Sequence, residues 1–273
     1  MGKEGENDMT EYEKTVALWQ EKSITNDAEL AEALHAQCIS FAYNSGKIEN
    51  DKITFFDTRE IFDHDGVSSY TGDLRTLFEI QNARKAYEFF LVSFQEKRAF
   101  DESLIKGFHK ELTQGTFDDR RWKRGERPGE YKKNDYVVGK MEVGAYPEDV
   151  QSEMKELLEE LKDIPNDKAL LSAAYFHAVF ETIHPFADGN GRCGRLAMNY
   201  FLVLHNHPPI TIHEVDRMGY YSSLEAWDSR EELDPLVVFL QEQAVKTWRI
   251  QLDRAERRKE KHMKTVDYTQ MHN

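Results

Sequence analysis

Apolar residues recur at helical spacing along most of the chain and predict an all-α fold. Leu30, Leu34 and Phe41 follow one such apolar face, as the three-to-four-residue period of an amphipathic helix requires. Residues 168–183 are apolar on nearly every side, which predicts a central, buried helix. The predicted helices span residues 10–23, 27–44, 72–95, 102–113 with Asp101 as N-cap, from Pro147 to about 162, 168–183, 192–205, 217–227 and 233–250.

The stretch from Gln114 to Val150 interrupts this helical pattern. It holds five of the 15 glycines and two of the seven prolines, residues that are typical of turns. Within it, β-branched and aromatic residues flank Gly139-Lys140, and this arrangement predicts a small β-hairpin. A long connection in a compact helical domain is more often functional than not; a hairpin with only a structural role is the alternative.

Composition and charge exclude several classes of protein. The 273 residues are 40% apolar and 32% charged, and 36 basic against 50 acidic side chains leave a net charge of −14. No apolar run approaches the ~18 residues of a membrane helix, and the first ten residues lack the apolar region of a signal peptide. The negative charge disfavours nucleic acid and anionic lipid as partners. Cys38 and Cys193 are the only cysteines, too few for a disulfide framework, which favours a reducing compartment. From charge, hydropathy and cysteine content together, we expect a soluble, cytoplasmic protein that binds neither nucleic acid nor membrane.

One segment, from His184 to Arg195, combines residue types that are suited to phosphate chemistry. Gly189, Asn190 and Gly191 precede a predicted helix, where free N–H groups and the helix dipole attract anions. Arg192 and Arg195 are three residues apart and can therefore face the same anion.

A carboxylate and a histidine complete this segment. Asp188 can hold Mg²⁺ together with substrate phosphates, and His184 can accept a proton near neutral pH. Together the residues outline a phosphoryl- or nucleotidyl-transfer site. Each feature also has an ordinary explanation: a hydrogen-bonded core histidine, a Gly-Asn-Gly turn and a solvated arginine pair. A metal site built from His177, His184 and Asp188 is a further alternative.

The same segment resembles the motif of the Fic family, His-x-Phe-x-Asp/Glu-Gly-Asn-Gly-Arg-x-x-Arg, at all eight specified positions. The resemblance extends over roughly residues 70–245 and includes the hairpin at 135–144. It implies an all-α Fic fold, a helical bundle with a small β-hairpin flap. It also implies an enzyme that transfers AMP from ATP to a hydroxyl side chain of a target protein.

The resemblance also implies a role for each matched residue. His184 would deprotonate the attacking hydroxyl, and Asp188 would hold Mg²⁺ between the phosphates. Arg195 would meet the γ-phosphate, with Arg192 beside it and with Gly189, Asn190 and Gly191 as the anion cradle. The flap would pin the backbone of the target by strand addition through Val137, Val138, Gly139, Lys140 and Met141.

Residues 45–50, Ser-Gly-Lys-Ile-Glu-Asn, match a second pattern of the family, Ser/Thr-x-x-x-Glu-Gly/Asn, which marks an inhibitory helix. Taken alone, this segment is an ordinary helix end with a surface glutamate. Beside the Fic motif, it implies an inhibitory role for Ser45, Glu49 and Asn50, in which Glu49 pairs with Arg195 and removes the partner of the γ-phosphate. The expected division is an N-terminal inhibitory segment over 1–70, a catalytic core over 71–245 and a charged tail over 246–273.

Two positions depart from the family pattern. Asp228 stands where an asparagine often contacts the adenine, and Tyr220 or Tyr221 is the expected stacking partner, ordinary helix packing being the alternative. Tyr131-Lys132 replaces an aromatic-arginine pair before the flap.

The leading interpretation is a magnesium- and ATP-dependent protein adenylyltransferase that Glu49 holds in check. The alternatives are removal of AMP from a target, transfer from a different nucleotide, a nucleotide-sensing module without catalysis, and a helical DNA-binding regulator. Self-modification and assembly into a homo-oligomer are left open.

Overall fold

A computed structural model describes residues 9–64, 66–67, 70–138, 141–142 and 144–271. Helices dominate these residues, together with one antiparallel hairpin, so the predicted all-α fold with a small hairpin is confirmed. The elements are α1 Glu11–Gln20, α2 Asp27–Leu34, α3 Cys38–Glu49, α4 Phe55–His64, α5 Leu74–Gln95, α6 Glu102–Thr113, α7 Asp119–Lys123, β1 Val137–Val138, β2 Met141–Glu142, α8 Val150–Glu160, α9 Ala169–Ile183, α10 Asn190–Leu204, α11 Arg217–Arg230 and α12 Asp234–Met271. Two 3₁₀ turns, Asn166–Lys168 and Glu214–Asp216, join neighbouring helices.

Helix starts follow from the capping chemistry of the sequence. Asp101 is the N-cap of α6, as predicted, and its carboxylate accepts the N–H of Leu104 at 2.8 Å. Asp73 caps α5 in the same way, accepting the N–H of Thr76 at 2.9 Å. Each bond satisfies one of the N–H groups that the first turn of a helix leaves without a partner.

The single helix predicted over residues 27–44 is wrong, because α2 ends at Leu34 and α3 begins at Cys38. A tight turn separates them, closed by the N–H of Gln37 on the carbonyl of Leu34 at 2.8 Å. The apolar period continues across the turn, which is why the sequence concealed it. Helix α3 also runs on to Glu49, so the inhibitory pattern lies inside a helix. The short helices α4 and α7 were not predicted.

The core is built around α9, which packs along α10, as expected for a helix that is apolar on nearly every side. Helices α3, α5 and α6 contact the other faces of α10. Side chains from the N-terminal segment, among them Trp19 and Ile48, belong to the same hydrophobic cluster as those of the central helices. The N-terminal helices and the central helices therefore share one interior.

The two ends of the described chain pack together. Helix α1 lies on α12, where Trp19 and Trp248 meet edge to face with ring centroids 5.2 Å apart, and Arg249 pairs with Glu11 at 2.9 Å. Helix α12 continues past the predicted end near residue 250 to Met271. Among the described residues, no helix has both the length and the apolar character needed to cross a membrane.

The hairpin forms where the sequence predicts it. Val137 pairs with Glu142 and Val138 with Met141 in antiparallel register. Gly139 and Lys140, the predicted tip, lie outside the described residues. After β2 the chain returns to the end of α9, where Gly144 has a φ of +81° and lies so close to the carbonyl of Ile183 that a Cβ would overlap it.

Candidate active site

His184 lies at the end of α9, where the chain changes direction. It has a left-handed conformation (φ 51°, ψ 59°), and its N–H closes the helix on the carbonyl of Phe180 at 3.0 Å. Pro185 follows and disfavours continuation of the helix. Burial and the positive charge of Lys132 lower the pKa of His184. The imidazole is therefore neutral at pH 7, the form that can accept a proton.

The loop after His184 is held in shape by Asn190. Its side-chain oxygen accepts the N–H of Phe186 at 2.9 Å, and its amide nitrogen donates to the Phe186 carbonyl at 2.8 Å. Because both polar atoms of this buried side chain are used within the loop, Asn190 can offer an anion only its backbone N–H. Its side chain shapes the cradle.

His109, which the sequence analysis did not single out, supports the same loop. The N–H of Gly129 donates to its Nδ1 at 2.9 Å, so the ring proton lies on Nε2, and Nε2 donates to the Asp188 carbonyl at 2.8 Å. The ring stacks on Phe186 with centroids 3.7 Å apart. Burial lowers the pKa of His109 to about 4, so it stays neutral. No local sequence signal marks this residue, because its partners are remote in the chain.

The Asp188 carboxylate lies among three arginines. Its Oδ2 is 2.7 Å from Arg75 and 3.4 Å from Arg121, and its Oδ1 is 3.7 Å from Arg192. Burial alone would raise the pKa of Asp188, but the positive charges of Arg192, Arg75 and Arg121 lower it overall. The carboxylate is thus ionised at neutral pH. Arg75 and Arg121 are further site residues that the sequence did not reveal.

Helix α10 begins directly behind Asp188. Gly189 is its N-cap, with a φ of +80° that favours glycine. The N–H groups of the next residues are the ones that a helix start leaves unpaired, so a helix N-terminus lies where the anion cradle is predicted. The Glu49 carboxylate lies against this helix start, since a Cβ built on Gly191 would overlap Oε1 of Glu49.

The side chain of Arg195 lies beside this carboxylate and is only 4% exposed. Its Nη2 donates to Oε1 of Glu49 at 2.8 Å and to the main-chain oxygen of Ser45 at 2.9 Å, and its Nε donates to Oγ of Ser45 at 3.1 Å. Burial would lower the pKa of Arg195, but Glu49 and neighbouring groups raise it overall. The expected contact between the inhibitory pattern and the second motif arginine is present, although the Glu49 side chain is 36% exposed and the pair is only half buried.

Asn50, the last residue of the inhibitory pattern, anchors the end of α3 to α5. Its amide donates to Oγ1 of Thr76 at 3.0 Å and to Oε2 of Glu79 at 2.7 Å. The other carboxylate oxygen of Glu79 lies 3.1 Å from Arg75 and 3.6 Å from Arg192. Helix α3 is thus connected to the arginines around Asp188 as well as to Arg195.

The two tyrosines of α11 have different surroundings. Tyr220 is 1% exposed, and its hydroxyl lies 3.4 Å from Nη1 of Arg195 and 2.7 Å from Nε2 of His177. Its ring has no face free for a nucleotide base. Tyr221 is 44% exposed and can offer its ring. Asp228, which is exposed, accepts the hydroxyl of Thr182 on α9 at 2.6 Å.

The alternative metal site, made of His177, His184 and Asp188, does not form. His177 is directed at Tyr220, and the described part of the chain contains no group of three or more histidine, cysteine, aspartate or glutamate side chains that could hold a metal. The fit is better for Mg²⁺ held by one carboxylate together with phosphates, because Asp188 is ionised and, among the described residues, Oδ1 has no closer charged partner than Arg192 at 3.7 Å.

Comparison with known proteins agrees with this arrangement. The sequence model of the Fic/DOC family matches residues 99–202, which include the whole segment from His184 to Arg195. The matched part of the chain is therefore similar to the Fic/DOC family. Among solved structures, a Fic domain containing signaling protein from Bacteroides thetaiotaomicron superposes with a TM-score of 0.73 at 23% identity, over 90% of this chain and 97% of that one. Fic-1 from Caenorhabditis elegans gives 0.72 at 20% identity, over 91% and 72%. The predicted Fic fold is confirmed.

Several curated proteins that match this chain are named as protein adenylyltransferases, and two of them show the extent of the match. A probable protein adenylyltransferase of Aquifex aeolicus is 30% identical over 159 residues, which is 58% of this chain and 45% of that protein. The protein adenylyltransferase Fic of Drosophila persimilis is 40% identical over 75 residues, 28% of this chain and 15% of that one. The chain thus covers less than half of either relative.

Proposed function

We propose that this protein is an adenylyltransferase that transfers AMP from ATP to a hydroxyl side chain of a target protein. The support is the combination of a neutral histidine, a helix N-terminus and paired arginines within one Fic/DOC domain, together with the printed activity of the curated relatives. In this assignment, ATP and the hydroxyl-bearing protein are the partners. We assign contact with the nucleotide base to Tyr221, whose ring is exposed, and to Asp228, whose carboxylate can accept a hydrogen bond from an adenine amino group.

His184 is the general base of the proposed reaction. Its neutral ring takes the proton of the attacking hydroxyl, whose oxygen bonds to the α-phosphorus of ATP while the bond to the leaving pyrophosphate breaks. Charge develops on the pyrophosphate oxygens, and the start of α10 with Arg192 and Arg195 stabilises it. The end of the flap lies against His184, since the N–H of Ala145 donates to the carbonyl of Ile183 at 2.9 Å. A target strand added to the flap brings its hydroxyl to this base.

Asp188 is the proposed magnesium ligand. Together with the phosphates of ATP, Asp188 would hold Mg²⁺, which would neutralise charge at those phosphates. Because Asp188 is shared with Arg75 at 2.7 Å, we expect metal to bind tightly only with nucleotide present. Titration with Mn²⁺ in the absence and presence of ATP measures this, and tight binding by the protein alone would contradict the assignment.

The proposed resting state is autoinhibited by α3. The observation that carries this proposal is the engagement of Arg195, whose guanidinium is occupied by Ser45 and Glu49 while the Glu49 carboxylate lies in the anion cradle. A terminal phosphate cannot occupy the same place. We therefore assign residues 1–70 as the regulatory segment, 71–245 as the catalytic core and 246–273 as a charged C-terminal tail.

Replacing Glu49 with Gly tests both the activity and its inhibition. Purified wild type, Glu49→Gly and the double variant Glu49→Gly/His184→Ala are incubated with ATP labelled on the α-phosphate and a cell lysate. We expect protein labelling to rise at least about tenfold in Glu49→Gly, because the cradle and a partner of Arg195 are freed, and to disappear in the double variant. Mass spectrometry of the labelled band identifies the modified hydroxyl, on a target or on the enzyme itself.

A glycine also weakens a helix, so Lys47→Gly is the matched control. Lys47 lies on the same turn of α3 and contacts the main chain of Asp51 rather than the cradle. Labelling by Lys47→Gly should stay near the wild-type level. Equal labelling by wild type and Glu49→Gly would refute the inhibition, and labelling that survives loss of His184 would refute its role as base.

A second activity, removal of AMP from a modified target, is favoured by the exposure of Glu49. The Glu49 side chain is 36% exposed at the edge of the cradle, so water can reach its carboxylate. Incubation of an AMP-modified target with wild type and with Glu49→Gln distinguishes the two directions, since only wild type should release AMP. We further infer a cytoplasmic protein from its two free cysteines.

A further inference from the structure

His177 is a buried ionisable residue for which the proposed reaction has no role. It lies on α9 two turns before His184, and its side chain is 0% exposed. Nε2 is 2.7 Å from the Tyr220 hydroxyl, and the two rings are nearly parallel, with centroids 5.8 Å apart. Tyr220 in turn contacts Arg195. The three side chains form a continuous buried chain from α9 through α11 to the second motif arginine.

The direction of each hydrogen bond in this chain follows from Arg195. A guanidinium can only donate, so the Tyr220 hydroxyl accepts from Nη1 at 3.4 Å. The proton of that hydroxyl is then directed at Nε2 of His177, which must be unprotonated to accept it. Burial, together with the positive charge of Arg195, lowers the pKa of His177 to about 3. The ring is therefore neutral, with its proton on Nδ1.

Nδ1 of His177 faces Glu181. Nδ1 and Oε1 of Glu181 are 4.0 Å apart, and neither atom has a hydrogen-bond partner among the described residues. Burial and the negative charges of Glu49 and Asp228 raise the pKa of Glu181 to about 8, against the opposing effect of Arg195. Glu181 is therefore mostly protonated at pH 7, so it does not compete with Glu49 for the guanidinium.

We propose that His177 and Tyr220 are positioning residues for Arg195, which give the site its preference for a nucleoside triphosphate over a diphosphate. The Tyr220 hydroxyl, oriented by His177, binds Nη1 of Arg195. This contact directs Nε and Nη2 of Arg195 towards α3. In the inhibited state these groups bind Ser45 and Glu49. The inference rests on the proposed function, because in the released state the same groups bind the terminal phosphate of ATP.

The test compares ATP with ADP in the Glu49→Gly background. Tyr220→Phe keeps the ring and removes only the hydroxyl. We expect its Kd for ATP to rise on the order of tenfold, the effect of losing a hydrogen bond to a charged group, while its Kd for ADP changes less than about twofold. His177→Leu should behave likewise, and His177→Gln should recover part of the ATP affinity, because its amide oxygen can accept near the position of Nε2. Tyr175→Phe on α9, whose hydroxyl contacts Glu160, is the control and should leave both constants unchanged.

The two proposals fail in different ways. A Glu49→Gly protein that binds neither nucleotide overturns the proposed function. An equal loss of ATP and ADP affinity in Tyr220→Phe, or no loss of either, overturns the positioning role. Nitrogen-15 NMR of His177, recorded on protein without nucleotide, tests the directions of the hydrogen bonds in this chain of side chains. The wild type should show one neutral Nδ1–H tautomer from pH 5 to 8, whereas an Nε2–H ring or a titrating ring overturns the proposal.

Discussion

Buried ionisable side chains set the pH range over which this site can act. The pKa of His184 is lowered by burial and by Lys132, so the ring remains the neutral base to a pH below the ordinary value of about 6.5. We expect labelling by Glu49→Gly to be constant from pH 8 to about 6.5 and to fall only at lower pH. Rates at saturating ATP between pH 5 and 9 measure this dependence.

Adding Lys132→Gln to the Glu49→Gly variant is the control for this prediction. Loss of the nearby positive charge should move the acid limb of the profile to higher pH. A Glu49→Gly profile that loses half its rate above pH 7, or one that adding Lys132→Gln to this variant leaves in place, would contradict the assignment of His184.

Glu181 should make stability depend on pH. Its pKa is raised to about 8 in the folded protein, against about 4.3 in an unfolded chain. Between these values the folded state holds a proton that the unfolded state has lost, so wild-type stability falls as the pH rises. Glu181→Gln removes this dependence. The free energy of unfolding of Glu181→Gln minus that of wild type should increase from pH 5 to 8 and then level off. A difference that is constant over pH 5 to 9 would show that Glu181 is not protonated in the fold.

Among the helices, the close crossing of α9 and α10 brings the base and the arginines together. Gly194 lies at this contact, where a Cβ would be 2.8 Å from Oε1 of Glu181, 2.9 Å from Cδ1 of Phe180 and 3.0 Å from Nδ1 of His177. We expect Gly194→Ala to lower the free energy of unfolding by about 1–3 kcal/mol, the usual cost of overpacking. Chemical denaturation measures this loss.

Gly219 on α11 is the matched control, since a Cβ there would meet Phe239 at an ordinary 3.4 Å. Gly219→Ala should be neutral or stabilising by up to about 1 kcal/mol, because alanine favours a helix. If both variants lose the same stability, the loss at Gly194 does not come from the helix crossing.

The whole molecule should unfold as one unit, because the N-terminal helices and the central helices share one interior. Trp19 on α1 packs on Trp248 of α12, and both belong to the cluster that includes the central helices. Trp19→Ala should cost about 3–5 kcal/mol and lower the midpoint of a single transition. Differential scanning calorimetry tests this, and a separate low-temperature transition would show that residues 1–70 unfold independently.

Much of the candidate site could be predicted because its residues are contiguous in the chain. His184 to Arg195 are twelve consecutive residues, so the turn, the helix start and the charged side chains were visible together. The helices, the hairpin and the cap at Asp101 were predictable for the same reason, since periodicity and capping are local properties. Periodicity failed at residues 35–37, where two helices with the same apolar period meet.

Contacts between distant segments could not be predicted from local patterns. His109 and Arg75 support Asp188 across 79 and 113 residues. The different environments of Tyr220 and Tyr221 were equally invisible. These neighbours point in directions about 100° apart on a helix, and only the packing of α11 on α9 decides which one is buried.

The sequence by itself therefore determined the fold class, the place of the hairpin and the identity of the groups that would handle phosphate, because each depends on residues close together in the chain. Only the tertiary structure decided how those groups are occupied. Arg195 meets Ser45 across 150 residues and Glu49 across 146, and it meets Tyr220 because α11 packs on α9. The physical reason is that an apolar pattern specifies which face of a helix is buried, whereas the partner of that face is chosen by the packing of the whole chain.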